Sequence, residues 1–386
     1  MSNRTAPRPE ASLDWAYLDW NATAPLRPQA AAAMTGALDI CGNPSSVHRR
    51  GRAARQLVER SRAAVAALVG APAESIVFVS GGTEANHLAL LGAGQERVLV
   101  SAVEHDSVLR AVPEAEPIPV DRDGFVRLEA LADRLAADPR PTLVSVMLAN
   151  NETGVMQPVS EVATLAHAHG AVFHCDAVQA AGKIPLDIAA VGADLLTLSA
   201  HKLGGPPGVG ALVLSGAVDL APLQRGGGQE RGRRAGTENA PGIAGFAAAA
   251  EAAATEIDRY RRVGQLRDGL EAAILALAPD AVIVGAAAAR LPNTSAIAMP
   301  GTLAETQVMA FDLDGVMVSA GAACSSGKVG PSHVLAAMQL PPDIAAATIR
   351  VSLGWSSTEA DVDRFVQSWA ALYRRRRGLA LEACAA

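Results

Sequence analysis

Asp194-Leu195-Leu196-Thr197-Leu198-Ser199-Ala200-His201-Lys202 reads as an apolar strand that ends abruptly in a hydroxyl, an imidazole and a primary amine. Strands covered on both faces look like this, as near-continuous apolar runs. Outward from this stretch the pattern recurs. Ser75–Ser80 (SIVFVS) leads into Gly81-Gly82-Thr83-Glu84 and an apolar-periodic segment, and Arg97–Ser101 (RVLVS) is a further run. Thr142–Leu148 ends in Ala149-Asn150-Asn151-Glu152, Ala171–His174 ends in Cys175-Asp176, and Val209–Leu214 follows a Gly/Pro turn. Strands alternating with helical patterns predict an α/β fold with a mostly parallel sheet and helices on both faces. Ligands of open α/β sheets bind at the carboxyl ends of the strands. Thr83, Asn151, Asp176, Ser199, His201 and Lys202 are therefore expected in one crevice, although they are far apart in the chain.

The 386 residues, half of them hydrophobic, are enough for two domains with a large core. The texture changes after the polar helical stretch near Glu256–Arg267: two shorter strand-like runs, Ala281–Val284 and Ser295–Met299, precede a Gly/Ser loop and a C-terminal helix. A large domain over 18–260 and a smaller α+β domain from 1–17 and 261–386 are expected. A net charge of −6 argues against nucleic acid as a partner. No charge-free apolar run reaches the ~18 residues of a membrane helix, and Met1–Trp20 has no apolar signal core, so a cytoplasmic protein is expected. Cysteines stand at 41, 175, 324 and 384 with no C-x-x-C pair, and read as free thiols in a reducing compartment.

Lysine stands only at 183, 202 and 328 among 33 basic side chains, so each lysine asks for a reason. Lys183 (Ala181-Gly182-Lys183-Ile184-Pro185) and Lys328, after Ser325-Ser326-Gly327, read as solvated turn and loop residues. Lys202 closes an apolar strand, where partial desolvation lowers an amine's pKa enough for a Schiff base. On that feature alone, an exposed lysine at a strand end fits equally well. Its neighbours shift the balance toward pyridoxal phosphate, which needs an amine, an acid for its pyridine nitrogen, donors for its phosphate and a group over its ring. Asp176 is a carboxylate at a strand end, and Ser80–Glu84 offers small residues where a strand enters a helix. His105, after another strand, brings an imidazole that can stack and carry protons. No G-x-G-x-x-G follows the first strand, so a dinucleotide oxidoreductase has little support.

Ten ordered blocks, from Leu18-Asp19-Trp20-Asn21-Ala22-Thr23 to Ile349-Arg350-Val351-Ser352-Leu353-Gly354, carry a resemblance over nearly the whole chain. Between them lie Gly42–His48, the Ser80–Glu84 turn, Glu104-His105, Asn150–Gly154, His174–Gln179, Ser199–Lys202, Gly226–Asn239 and Ala323–Ser326. The chain resembles the cysteine desulfurases, pyridoxal-phosphate enzymes of the class V aminotransferase group that supply sulfur for iron–sulfur clusters. The resemblance implies a fold-type I, aspartate aminotransferase-like fold, and a homodimer with its site at the subunit interface. It implies that Lys202 holds the cofactor covalently, that Asp176 pairs with the pyridine nitrogen and that Gln179 bonds the ring oxygen. Gly82, Thr83, Ser199 and His201 would hold the phosphate, joined by Thr237 of the neighbouring subunit, and His105 would lie over the ring. Asn151 and Arg350 would bind the substrate carboxylate, for which arginine offers a planar fork.

The implied reaction removes sulfur from L-cysteine, leaving L-alanine and a persulfide on Cys324, with Lys202 taking the α-proton and His105 shuttling a proton. The small residues Ser319–Gly330 around Cys324 suit a thiol that must reach a pocket and then present its sulfur outside. A sulfur-acceptor protein is the implied partner, and cluster assembly, nitrogen fixation and tRNA thiolation remain open for it. Activity on selenocysteine stays open too, and a transient cluster or metal at Cys324 is chemically plausible. A metal carrier built on His174, Cys175 and Cys324 fits no standard ligand spacing. The chain departs from the family at Ala320 and Ala322, where serine is frequent, at His87, where asparagine is common, and at Pro207 in place of a frequent lysine. Arg374 to Ala386 does not resemble the segment with which housekeeping members dock a scaffold, and Arg374–Arg377 reads as a solvated helix end.

Overall fold

The structure, a computed structural model, describes residues 15–216, 218–321 and 332–378. Its largest element is a seven-stranded sheet. In spatial order the strands are Ile76–Val79, Gly210–Leu214, Leu195–Ser199, Val172–Asp176, Thr142–Ser145, Arg97–Ser101 and Glu116–Ile118. Gly210–Leu214 runs antiparallel to both neighbours, and every other adjacent pair is parallel.

Period-two alternation sends successive side chains to opposite faces, and both faces are apolar. Phe78, Leu99, Val144, Phe173 and Leu196 join one buried cluster, while Val77, Val98, Val100, Leu143 and Leu195 join another. Burial on both faces is why these strands show as unbroken apolar runs in the sequence. The first face is covered in part by the alanine-rich helix Ala240–Thr255, which packs against the helices Pro28–Leu38 and Arg49–Ala67. Alanine lets those helices approach closely with little side-chain entropy to lose.

A second sheet is antiparallel, in the order Ser319–Ala320, Thr348–Ser352, Thr294–Ala298, Val282–Val284. It packs with the helices Arg259–Leu277 and Glu359–Arg376 around Leu18, Leu270, Phe311, Ile349, Phe365 and Trp369, a buried cluster of its own. The C-terminal helix opens on a capping box, in which Thr358 and Asp361 satisfy each other's backbone N–H groups. Among the described residues, no helix is long and apolar enough to cross a membrane.

Two features of this frame position the site. The parallel strands all end on one edge of the large sheet, at Ser101, Ile118, Ser145, Asp176 and Ser199. At the same edge Ile76–Val79 turns through Ser80 and Gly81 into the helix Gly82–Gly92. The turn lies tight on the next strand: a Cβ at Gly210 would sit 2.8 Å from Gly81 Cα and 2.7 Å from the Leu198 carbonyl oxygen, so only glycine fits there.

Candidate active site

A cavity of about 330 Å³ opens at this edge, lined by residues from seven of the ten blocks of the sequence pattern. Gly82, Thr83, His105, Asn151, Asp176, Gln179, Ser199, His201, Lys202 and Arg350 all border it. The crevice expected from the strand ends is thus one place, with His105, Gln179 and Arg350 added to it. Thr237 is exposed and lies apart from it, beside Ser80, Arg234 and Gly236. Cys324 lies outside the described residues.

Each side chain is held by its element. Asp176 ends the strand Val172–Asp176 and is 6% exposed. Its Oδ1 accepts from the Val178 N–H at 2.9 Å, and its Oδ2 accepts from Asn86 Nδ2 at 2.8 Å. Ser199 ends the adjacent strand, and a 3-10 turn, Ala200–Lys202, swings the lysine back over the sheet edge. Lys202 Nζ donates to the carbonyl oxygens of Asn21, at 2.5 Å, and Ala22, at 2.8 Å. His105 caps the short helix Asp106–Leu109, its Nδ1 accepting from the Ser107 N–H at 3.1 Å. Burial and the Lys202 cation lower the His201 imidazole to a pKa of about 4, so it is neutral at physiological pH.

Arg350 comes from the other sheet. It sits in the central strand Thr348–Ser352 and is 1% exposed. Nη2 donates to Asp19 Oδ1 at 2.7 Å and Nη1 to the Asn151 carbonyl at 3.2 Å. Its Nε is buried with no protein partner, although a buried guanidinium N–H normally has one.

Two buried acids stand close by. Glu104 is fully buried, with Oε1 accepting from the Met147 N–H at 2.6 Å and Oε2 unpartnered. Burial pushes its carboxyl far up, Asp176 adds to the shift, and the Met147 N–H opposes it. Glu152 accepts from the Ser332 hydroxyl at 2.6 Å, and burial raises it to a pKa of about 7 against the pull of Ser332 and Arg350.

One expectation is overturned. Lys183 is not a solvated turn residue: it is 2% exposed and donates to Asn21 Oδ1 at 3.0 Å and Gln179 Oε1 at 2.9 Å. The turn faces the interior because Ala180, Ala181 and Leu203 pack into the core beside it. Sequence reasoning also missed Asn21 and Asn86, which line the cavity and hold its charged groups. For Asn86 a signal existed: it lies one helical turn beyond Thr83. Asn21 stands in the first of the ten blocks, but nothing in its local pattern gave it a role.

Cys175 is the packing residue its strand suggests, fully buried with a thiol pushed well up by burial. His174 is equally buried, between Ser145 Oγ at 2.8 Å and Thr197 Oγ1 at 3.0 Å, and its pKa falls to about 3. Among the described residues no His/Cys/Asp/Glu group is placed to hold a metal.

Residues 16–365 match the family model for aminotransferase class V. A cysteine desulfurase of Cereibacter sphaeroides is 47% identical over 92% of this chain and 95% of its own length. One from Klebsiella pneumoniae is 42% identical over 94% of each. Among solved structures, a NifS-like protein from Rickettsia africae superposes with a TM-score of 0.86 at 36% identity, covering 93% of this chain and 99% of that one. Fold, site and sequence agree: the chain belongs to the class V aminotransferase family.

Proposed function

We propose that the cavity holds pyridoxal 5′-phosphate on Lys202 and that the protein is a cysteine desulfurase, converting L-cysteine to L-alanine and leaving the sulfur as a persulfide on Cys324. The carrying observation is the convergence of the Lys202 amine, the Asp176 carboxylate and the start of the Gly82–Gly92 helix on one cavity, with an unpaired Arg350 N–H in its wall.

The residues fit the cofactor. A Cβ at Gly82 would meet Val178 Cγ2 at 3.1 Å, so the turn leaves its backbone bare where the helix's free N–H groups favour an anion. Thr83, Ser199 and the neutral His201 add side-chain donors for a phosphate. Asp176, fixed by two hydrogen bonds, is the acid for a pyridine nitrogen. When bound, pyridoxal phosphate supplies an aldehyde for an amine and a protonated ring that takes up electrons from Cα.

The chain's own residues do the rest. Arg350 lines the cavity beside Asn151 and binds the substrate carboxylate. Lys202, once the amine of L-cysteine has taken its place, is the base for the α-proton. His105, held by Ser107, moves a proton within the cavity. Cys324 attacks the substrate sulfur as a thiolate, the nucleophilic form of cysteine. The Cβ–S bond breaks, an S–S bond forms, and the proton lost by Cys324 is matched by one gained at Cβ. A homodimer completes the site with Thr237 of the partner subunit at the phosphate, a role that suits its exposed place outside this chain's own cavity. A sulfur-acceptor protein then takes the persulfide.

The test is direct. Supplied with pyridoxal phosphate, the purified protein should gain a visible absorbance band and, after borohydride, a cofactor mass on Lys202. With L-cysteine it should release alanine. Lys202→Ala should lose band, mass gain and turnover together; a wild-type protein that stays colourless and unmodified refutes the reading.

A further inference from the structure

Lys183 occupies a place that a lysine rarely takes. It is 2% exposed, and burial, then Lys202 and Arg350, hold its pKa well below that of an ordinary amine. The bonds around it leave no freedom in the direction of its own. Asn21 Nδ2 faces the Asn151 carbonyl at 3.2 Å, a group that can only accept, so Asn21 Oδ1 is the atom turned toward Lys183. Gln179 Nε2 faces the Asn21 carbonyl at 3.1 Å, so Gln179 Oε1 is likewise the atom turned toward Lys183. The amine therefore donates to both amides. Two acceptors take two of its N–H bonds.

We propose that Lys183 is a positioning residue which locks the Gln179 amide with its N–H pair on the cavity side, so that Gln179 can act toward the cofactor only as a donor. This rests on the pyridoxal phosphate reading. The geometry makes the lock consequential because Gln179 Nε2 and Lys202 Nζ converge on the same oxygen, the Asn21 carbonyl, at 3.1 and 2.5 Å. The donor that Lys183 fixes is thus beside the nitrogen that carries the cofactor. Pyridoxal phosphate has its phenolic oxygen next to its aldehyde carbon, so, held on Lys202, that oxygen would come within reach of Gln179 Nε2. Without Lys183 the Gln179 amide keeps only the Nε2 bond to the Asn21 carbonyl, and its oxygen loses the donor that opposes a flip toward an oxygen that needs a donor. Asn21, held by the same amine, keeps its carbonyl in place through its own bonds to Thr294 and Asn293.

A donor on the phenolic oxygen draws electron density from it and weakens its hold on the proton at the Lys202 nitrogen. Loss of that donor raises the pH midpoint of the bound cofactor's absorbance change. The experiment is a double-mutant cycle on the cofactor-loaded protein with Lys183→Met, Gln179→Met and both, reading that midpoint and the dissociation constant for pyridoxal phosphate. Each single variant should raise the midpoint by about one pH unit and weaken cofactor binding about tenfold, and the double variant should add little, because both act through one amide. Should Lys183→Met not fold, Lys183→Gln replaces it. Its amide serves only one of the two acceptors, and at least half the shift of Gln179→Met is expected. A Lys183 variant whose midpoint equals the wild type's, or single shifts that sum fully in the double variant, overturns the proposal. A wild-type protein that takes up no pyridoxal phosphate defeats the parent reading instead, and a Gln179→Met shift without a Lys183 shift defeats this one alone.

Discussion

Asn86 and Asp176 meet at 2.8 Å, amide nitrogen to carboxylate oxygen, and the same Nδ2 reaches the Ser107 hydroxyl at 2.9 Å. The helix Gly82–Gly92 that offers its N-terminus to an anion thus also holds, one turn later, the Asp176 carboxylate that lines the same cavity. On the proposed reading, a single helix would space the phosphate and pyridine contacts. Asn86→Leu keeps the volume and removes the donor. A lost hydrogen bond to a buried charge is worth about 1.5–3 kcal/mol, so kcat/KM for L-cysteine should fall roughly 10- to 100-fold, with weaker retention of pyridoxal phosphate on dialysis. Steady-state kinetics beside a cofactor titration checks both.

Arg350→Lys keeps the positive charge and loses the planar fork and the unpaired Nε. It also gives up the paired contacts to Asp19 and Asn151. KM for L-cysteine should rise at least tenfold, while affinity for pyridoxal phosphate, which this guanidinium does not serve, stays near the wild type. An unchanged KM would remove Arg350 from carboxylate binding.

Glu152 gives a prediction in pH. Burial lifts its pKa to about 7 in the folded chain, against 4.5 for the free carboxyl. A raised carboxyl pKa means that folding favours the protonated form. The protein is most stable with respect to this group below pH 4.5, and loses that stability as pH climbs toward 7. Glu152→Gln carries no such loss. The melting temperature of the variant relative to the wild type should therefore improve between pH 5 and pH 8, by the equivalent of roughly 3 kcal/mol at most. A difference that stays flat across that range contradicts the shift.

The cysteines should separate cleanly. Cys324→Ala should keep the visible absorbance of the loaded protein and lose turnover of L-cysteine, and full activity in that variant rejects the sulfur-acceptor role. Cys175, fully buried with its thiol pushed up, should resist iodoacetamide in the folded protein at pH 8, while the exposed Cys41 is alkylated. Peptide mass mapping reads both outcomes.

The central strands were legible because burial on both faces leaves unbroken apolar runs, and the polar residues that end those runs proved to share one cavity. Two kinds of element were hidden. Glu116–Ile118 lies at the sheet's edge and carries Pro117, which a central strand would exclude. Thr348–Ser352 is a central strand, but Arg350 interrupts its apolar pattern, since the side chain leaves its own layer to reach Asp19 and Asn151. Lys183 misled for a related reason. Gly182 and Pro185 mark a turn correctly, but local composition does not say which side of a turn the core lies on. Asn21 precedes every strong strand signal and is 162 and 181 positions from the two lysines it touches, pairings that only the folded chain reveals.

The burial of Lys183 bears on how the protein would be handled. Pyridoxal phosphate is an indiscriminate aldehyde, and on most proteins it decorates surface amines along with any true site. Among the described residues only two ε-amines exist, and one of them is sealed inside. Arginine, which carries the rest of the described positive charge, forms no such adduct under mild conditions. Stray labelling at a lysine is therefore left at most to Lys328, which lies outside the described residues, so a peptide map that reads that one position tells occupied cavities from other adducts.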